Sequence, residues 1–196
     1  MVRYSGAAHD IDILVSGVGM VATASWTSRE LARERYELAL NLGVCGSFNP
    51  TLVPGMVVHV VSDCIAELGA EDGDAFLTIQ QMRLLGENEF PFDQGRLVNA
   101  SPPPNRALAA LRTARGITVN TVHGNEPSIQ RVTERFKPDV ESMEGASFMY
   151  AALIHGVPFA QVRAVSNVVE RRNRGAWKLD LAIRELGETA WRLLQP

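Results

Sequence analysis

Two glutamates three positions apart, Glu141 and Glu144, sit where an extended segment runs into an apolar helix. Pro138 breaks any helix arriving from upstream and biases Lys137 towards extended geometry. Ala146 to Ile154 carries helix formers with apolar positions at helical spacing, and Gly156 after His155 is a helix stop. The two acids would share a face if both were helical. A carboxylate in such surroundings must be hydrogen-bonded or perform a task, because burying it unpaired is costly. The other reading is that both acids dress a helix N-terminus, where the macrodipole favours them. Upstream, Ser16-Gly17-Val18-Gly19 ends one strand and opens a helix, which presents backbone N–H groups to an anion or a hydroxylated ligand. A lone GxG turn also serves tight strand-to-helix packing.

The elements that must position these residues follow from pattern. Ile11–Val15 reads as a strand and Met20 to about Arg33 as a helix. Tyr36–Leu42 reads as a second strand closing on a Gly43-Val44-Cys45-Gly46-Ser47 turn, so both small-residue turns are expected at one sheet edge, where ligands bind in open α/β sheets. Met56–Asp63 is too β-branched to prefer helix. From Glu67 to Pro104 the periodicity is weak and irregular connections are expected. A short helix over 108–112, a strand over 117–122, a turn at His123-Gly124-Asn125 and a helix over 129–136 come next. Phe159–Val165 is a buried-type strand delivering Ser166-Asn167, and Trp177 to Leu194 a closing amphipathic helix. Strands and helices mostly alternate, which predicts a three-layer α/β/α fold with a central, mostly parallel (mixed) sheet.

A chain of 196 residues is one domain by length, spanning 1–196, and can bury a core without staples. Its 46% hydrophobic and 21% charged content is ordinary for a globular protein, and a net charge of −3 gives no reason to expect nucleic acid or an anionic membrane as partner. Cys45 and Cys64 show no metal spacing, and His9, His59, His123 and His155 add none. No apolar run is long enough for a bilayer, and Met1–Gly6 lacks a signal-peptide pattern. A cytoplasmic location is the expectation.

Taken together, Ser16-Gly17-Val18-Gly19, Gly43-Val44-Cys45-Gly46, Met143-Glu144 and Arg163-Ala164-Val165-Ser166-Asn167 resemble the purine nucleoside phosphorylase and nucleosidase superfamily. The resemblance is closest to nucleosidases of the methylthioadenosine/S-adenosylhomocysteine type. Within these, Gly69-Ala70-Glu71-Asp72-Gly73-Asp74, Glu141-Ser142-Met143-Glu144-Gly145-Ala146 and Ser166-Asn167-Val168-Val169-Glu170-Arg171-Arg172-Asn173 are similar to futalosine hydrolases of menaquinone biosynthesis. The likeness runs from about Ile11 to the C-terminus. It implies a nucleoside phosphorylase-like fold, cleavage of the N-glycosidic bond of futalosine by water, a nucleoside as small-molecule partner, no cofactor, no metal and a homodimer. An adenine-type nucleosidase and a catalytically impaired nucleoside-binding protein on the same fold are the alternatives.

Breaking an N-glycosidic bond builds positive charge on the ribose and negative charge on the departing purine, so preorganised electrostatics carry the work. The resemblance gives Glu144 the ribose hydroxyls and Asn167 the purine N7 as catalytic residues. Adenine-specific relatives carry Asp at the latter place; a permanent amide donor suits N7 and O6 of a 6-oxopurine. The resemblance also implies substrate contacts from Gly17, Val44, Cys45, Gly46, Ser142, Met143, Ser166 and Trp177. Phosphate-using relatives place an arginine two residues before the Gly43-type glycine. Asn41 stands there, which argues for water as nucleophile, and Arg163 reads as a structural strand arginine. His123 is weighed as a substrate contact or a capped loop histidine. The family's first strand, with the acid that activates water, has no match between Met1 and Asp10, and Asp10 and Asp12 lie on the wrong side of the GxG turn. A chain lacking that strand is the expectation.

Overall fold

The computed structural model describes residues 1–6 and 8–195. Strands β1 (Val2–Ser5) and β2 (Asp10–Ile13) form an antiparallel pair with Val2 opposite Ile13. The chain then turns through Gly17 and Gly19, at φ 84° and 92°, a region that favours glycine, into α1 (Met20–Arg33). Strand β3 (Ala39–Ser47) is followed by β4 (Val57–Asp63), the hairpin β5 (Gly69–Asp72) and β6 (Ala75–Thr78), β7 (Leu97–Val98) and α2 (Arg106–Ala109). Next come β8 (Arg112–Thr118), α3 (Glu126–Phe136), β9 (Val140–Ser142), α4 (Gly145–His155), β10 (Phe159–Val168), a 3₁₀ turn at Arg174–Ala176 and α5 (Leu179–Leu193).

Several of these depart from the expected elements, each for a local reason. Gly43-Val44-Cys45-Gly46 is not a turn but the second half of β3, paired in parallel with β10 so that Gly43 lies beside Arg163 and Cys45 beside Val165. Its glycines mark close approach of a neighbouring side chain rather than the end of a strand. The expected short helix begins earlier because Asn105 caps it, Oδ1 accepting the Leu108 N–H at 2.9 Å. The strand after it starts at Arg112, not Ile117, drawn into parallel pairing with β4. The region 67–104 holds the β5–β6 hairpin, turned at Gly73-Asp74 with Gly73 at φ 61°. Helix α5 starts at Leu179, leaving Trp177 in the connection before it.

The central sheet is mixed, as the alternation of elements predicts. Its order is β10-β3-β9-β8-β4-β7, and β10 also pairs with β4. The strands β10, β3, β9, β8 and β4 therefore close into a ring, with β10–β3, β9–β8 and β8–β4 parallel and β3–β9 and β4–β10 antiparallel. Cys45, Val58 and Val60, Ala114, Val140 and Val165 contribute a buried side chain from every ring strand to one cluster, closed by Leu52. Helix α4 packs Ala146, Phe148, Met149 and Ala152 with Leu97 and Phe159, and α1 lies on α4. Leu193 of α5 packs with Ala160 and Val162. Burying a Val, Leu, Phe or Met side chain contributes about 1.5–3 kcal/mol, so these clusters fix the strand ends that carry the polar residues.

Candidate active site

The β9–α4 corner sets the first carboxylate. Ser142 Oγ accepts the Gly145 N–H at 3.1 Å and Thr118 Oγ1 accepts the Ala146 N–H at 2.7 Å, so two hydroxyls cap the helix. Glu144 occupies the cap position without using its side chain to cap. Its carboxylate turns outward instead: Oε1 accepts the Gly19 N–H at 3.1 Å, and Oε2 lies 3.6 Å from Arg163 Nη1. Glu141 faces elsewhere. It is buried, with Oε1 accepting the His123 N–H at 3.0 Å and Oε2 2.7 Å from His123 Nδ1. Neither side chain caps the helix, and the two carboxylates turn to different partners.

Arg163 is a site residue that sequence reasoning assigned to the strand alone. Its guanidinium lies against Gly43, where a Cβ would collide with Nη1. Nη2 donates to Asn41 Oδ1, and Nη1 faces Glu144. Burial pulls its pKa down while the Glu144 charge pulls it up. The buried cation thus anchors Glu144, with Asn41 as its second partner. The sequence signal was available: an arginine within an otherwise apolar strand, opposite a glycine, needs a partner.

Beneath the same corner lies a polar knot. Asp63, fully buried, accepts from Thr118 Oγ1 at 3.0 Å and from Gln161 Nε2 at 2.9 Å. Its carboxylate abuts Gly145, leaving no room there for a Cβ. Burial raises the Asp63 pKa, against the pull of these hydrogen bonds and of Arg163 and Arg96. Nothing in the sequence pairs Asp63 with Gln161, 98 positions away.

The exit of β10 sets the amide. Ser166 Oγ lies 3.1 Å from the Cys45 carbonyl and 2.8 Å from Asn167 Oδ1, its single proton shared between the two acceptors, while Asn167 Nδ2 donates to the Val168 carbonyl at 2.9 Å. With its oxygen held by Ser166, the amide keeps one N–H free to donate outward. A Cβ on Gly46 would lie 2.8 Å from Val169 Cγ2, 3.3 Å from Asn167 Nδ2 and 3.5 Å from Glu141 Cγ, so these three side chains crowd onto the bare α-carbon of this glycine. The Lys178 N–H donates to the Ser166 carbonyl at 2.8 Å, which seats Trp177 beside this strand end, under the Arg172 guanidinium.

The other expected contacts divide. Val44 and Met143 are partly exposed beside Gly46 and Glu144. The Cys45 thiol packs in the ring's core, and burial pushes its pKa up to about 12, so only main chain is offered at that position. Ser142 is occupied as a helix cap. Gly17 is exposed, and it is Gly19 that reaches Glu144. Asp12 is held by Arg3 and by the Tyr36 hydroxyl, which keep its pKa down at about 2 and make it a poor base.

The family profile described as the phosphorylase superfamily matches residues 2–194. The futalosine hydrolase of Streptomyces coelicolor is 32% identical over 192 residues, covering 93% of this chain and 77% of that protein. That of Acidothermus cellulolyticus is 34% identical over 188 residues, covering 94% and 74%. A futalosine hydrolase mutant of Helicobacter pylori has a similar fold, with a TM-score of 0.80 at 15% identity, over 98% of this chain and 83% of that one.

Proposed function

The chain belongs to the phosphorylase superfamily, and from that membership we propose that it is a futalosine hydrolase. The C1′–N9 bond of futalosine breaks, hypoxanthine leaves with the bonding pair and takes up a proton, and the oxygen of water joins C1′ to give dehypoxanthinyl futalosine. The observation that carries this reading is the 32% identity with the Streptomyces coelicolor futalosine hydrolase across 93% of the chain.

Glu144 accepts from the ribose hydroxyls with the lone pairs that Gly19 and Arg163 leave open, and its charge lies near the developing oxocarbenium. The free N–H of Asn167 donates to N7 as charge builds on the purine. Arg163 is buried and engaged by Asn41 and Glu144, so it offers no cation to a phosphate dianion and water is the nucleophile. The enzyme serves menaquinone biosynthesis in the cytoplasm and works as a homodimer. Val15, Val18 and Val21, 87%, 76% and 80% exposed around the GxG turn, are apolar surface for a second copy to cover.

The test is release of hypoxanthine from futalosine by the purified chain, set against adenine release from methylthioadenosine. Adenine release alone would overturn the assignment. One observation favours a second reading, nucleoside binding with little turnover. The carboxylates weighed for the role are engaged, Glu141 by His123, Glu144 by Gly19 and Arg163, and Asp12 by Arg3 and Tyr36. Hypoxanthine binding without hydrolysis would select it.

A further inference from the structure

We infer that Thr118 is a positioning residue for Glu144: its hydroxyl caps helix α4 in the acid's place and so leaves the carboxylate turned out towards the ribose. The inference rests on the nucleosidase reading above and adds a residue to it.

Glu144 stands at the N-cap of α4. A side-chain oxygen at that position ordinarily accepts the N–H of the second or third helical residue, and the helix dipole draws a negative charge the same way. Glu144 does neither. Its Oε1 reaches the Gly19 N–H at 3.1 Å, and its Oε2 lies 3.6 Å from Arg163 Nη1. The N–H groups it would cap are already taken. Gly145 donates to Ser142 Oγ at 3.1 Å, and Ala146, the second helical residue, donates to Thr118 Oγ1 at 2.7 Å. Ser142 lies just before the helix, whereas Thr118 comes from β8, 28 positions before Ala146.

Thr118 is held from every side. It is fully buried and pairs with Ser142 in the parallel register of β8 and β9. Its main-chain N–H donates to the Cys64 carbonyl at 2.8 Å, and its carbonyl accepts from Ala66 at 3.0 Å. The hydroxyl meets Asp63 Oδ1 at 3.0 Å, and Gln161 Nε2 steadies the other oxygen of that acid at 2.9 Å. A main-chain N–H can only donate, so Thr118 Oγ1 accepts from Ala146 wherever the proton between it and Asp63 lies. A helix that needed only an end cap could take it from Glu144. Here a buried hydroxyl from another strand supplies the cap, and the Glu144 side chain stays 20% exposed, with lone pairs open to the ribose hydroxyls. Without that hydroxyl the Ala146 N–H is unmet, and Glu144 is the acid placed to turn back and fill it.

The experiment measures kcat and KM for futalosine, with calorimetric binding of hypoxanthine and of formycin B, an uncleavable C-nucleoside with a 6-oxo base. The parent chain, Thr118→Val, Thr118→Ser, Glu144→Gln and the double variant Thr118→Val/Glu144→Gln are compared, each with a melting curve. Thr118→Val is expected to lower kcat and formycin B affinity roughly ten- to hundredfold, as one misplaced hydrogen-bonding group does, and to leave hypoxanthine affinity unchanged. Thr118→Ser keeps the hydroxyl and is expected to rescue both. In the Glu144→Gln background Thr118→Val adds no further loss, because its effect runs through the acid. If Thr118→Val does not fold, Thr118→Cys, close in shape but only a weak acceptor, is read in the same way. Three results would overturn the inference and leave the hydrolase reading intact: a folded variant with the parent's kcat and formycin B binding, a loss that falls equally on hypoxanthine, or a loss undiminished in the Glu144→Gln background. A parent that releases no hypoxanthine and binds neither ligand would overturn both.

Discussion

The carboxylate of Glu144 accepts the main-chain N–H of Gly19 at 3.1 Å, across 125 positions of sequence. This bond joins the GxG turn to the β9–α4 corner and makes the turn part of the carboxylate's support. A turn first read as presenting N–H groups to a ligand presents one of them to an enzyme acid.

Glu144→Gln is expected to reduce turnover by about 10²–10³-fold. The amide oxygen still accepts from Gly19, but the buried Arg163 loses its counter-charge, so a stability loss of about 1–3 kcal/mol accompanies it. Single-turnover rates and melting curves on the same protein check both halves. Parent-like turnover would remove Glu144 from the chemistry.

Gly19→Ala places a Cβ at φ 92°, where space is open but the backbone is strained. The expected cost is about 1–3 kcal/mol, together with lower activity as the turn withdraws from Glu144. An unaffected rate in a destabilised variant would show that the turn matters only for folding.

Arg163→Met leaves Asn41 without its buried donor and Glu144 without its counter-charge, and is expected to destabilise the chain by about 3–5 kcal/mol. In the parent chain, added phosphate should neither accelerate cleavage nor yield a ribose 1-phosphate. Detecting that sugar phosphate by mass spectrometry would make the enzyme a phosphorylase.

Asn167→Asp exchanges a permanent donor for an acid that donates only when protonated. The ratio of specificity constants for futalosine and its 6-amino analogue should move towards the amino compound by one to two factors of ten. An unchanged ratio would mean that Asn167 does not face the base.

Asp63 gives stability a pH dependence of definite sign. Burial raises its pKa in the folded chain, so the folded form retains a proton that the unfolded form releases near about 3.9. The contribution is full below that range and is lost as pH rises through the raised folded value. Asp63→Asn should flatten this slope. It keeps the Thr118 bond through its amide oxygen, but its new N–H meets an acceptor on Gln161 only if that amide turns to present Oε1 in place of the Nε2 that now donates. Parallel melting-temperature profiles for parent and variant would contradict the assignment.

Periodicity made α1 and α4 legible, because their starts and stops are punctuated by Gly19, Gly145 and Gly156. It misplaced the end of β3, because Gly43 and Gly46 resemble a turn until Arg163 and Val169 are seen packed on them. Glu144 and Asn167 stood out as polar residues at element ends. The partners of Glu141 and Arg163 did not, because His123 and Asn41 approach through folding and carry no sequence spacing. The 67–78 segment showed weak periodicity because its paired strands are short and largely exposed.

Ring closure also has a consequence for the order of assembly. Strand β10 is the last strand of the chain, yet it pairs with both β3 and β4, which are made far earlier. Until Phe159–Val168 is in place the ring is a strip with two unmet edges, Arg163 has not reached Glu144 and Asn167 has not reached Gly46. Long-range pairing of this kind is slow to form. A nascent chain emerging from the ribosome would therefore bind no nucleoside until β10 inserts, and ligand capture would report completion of the barrel rather than its growth.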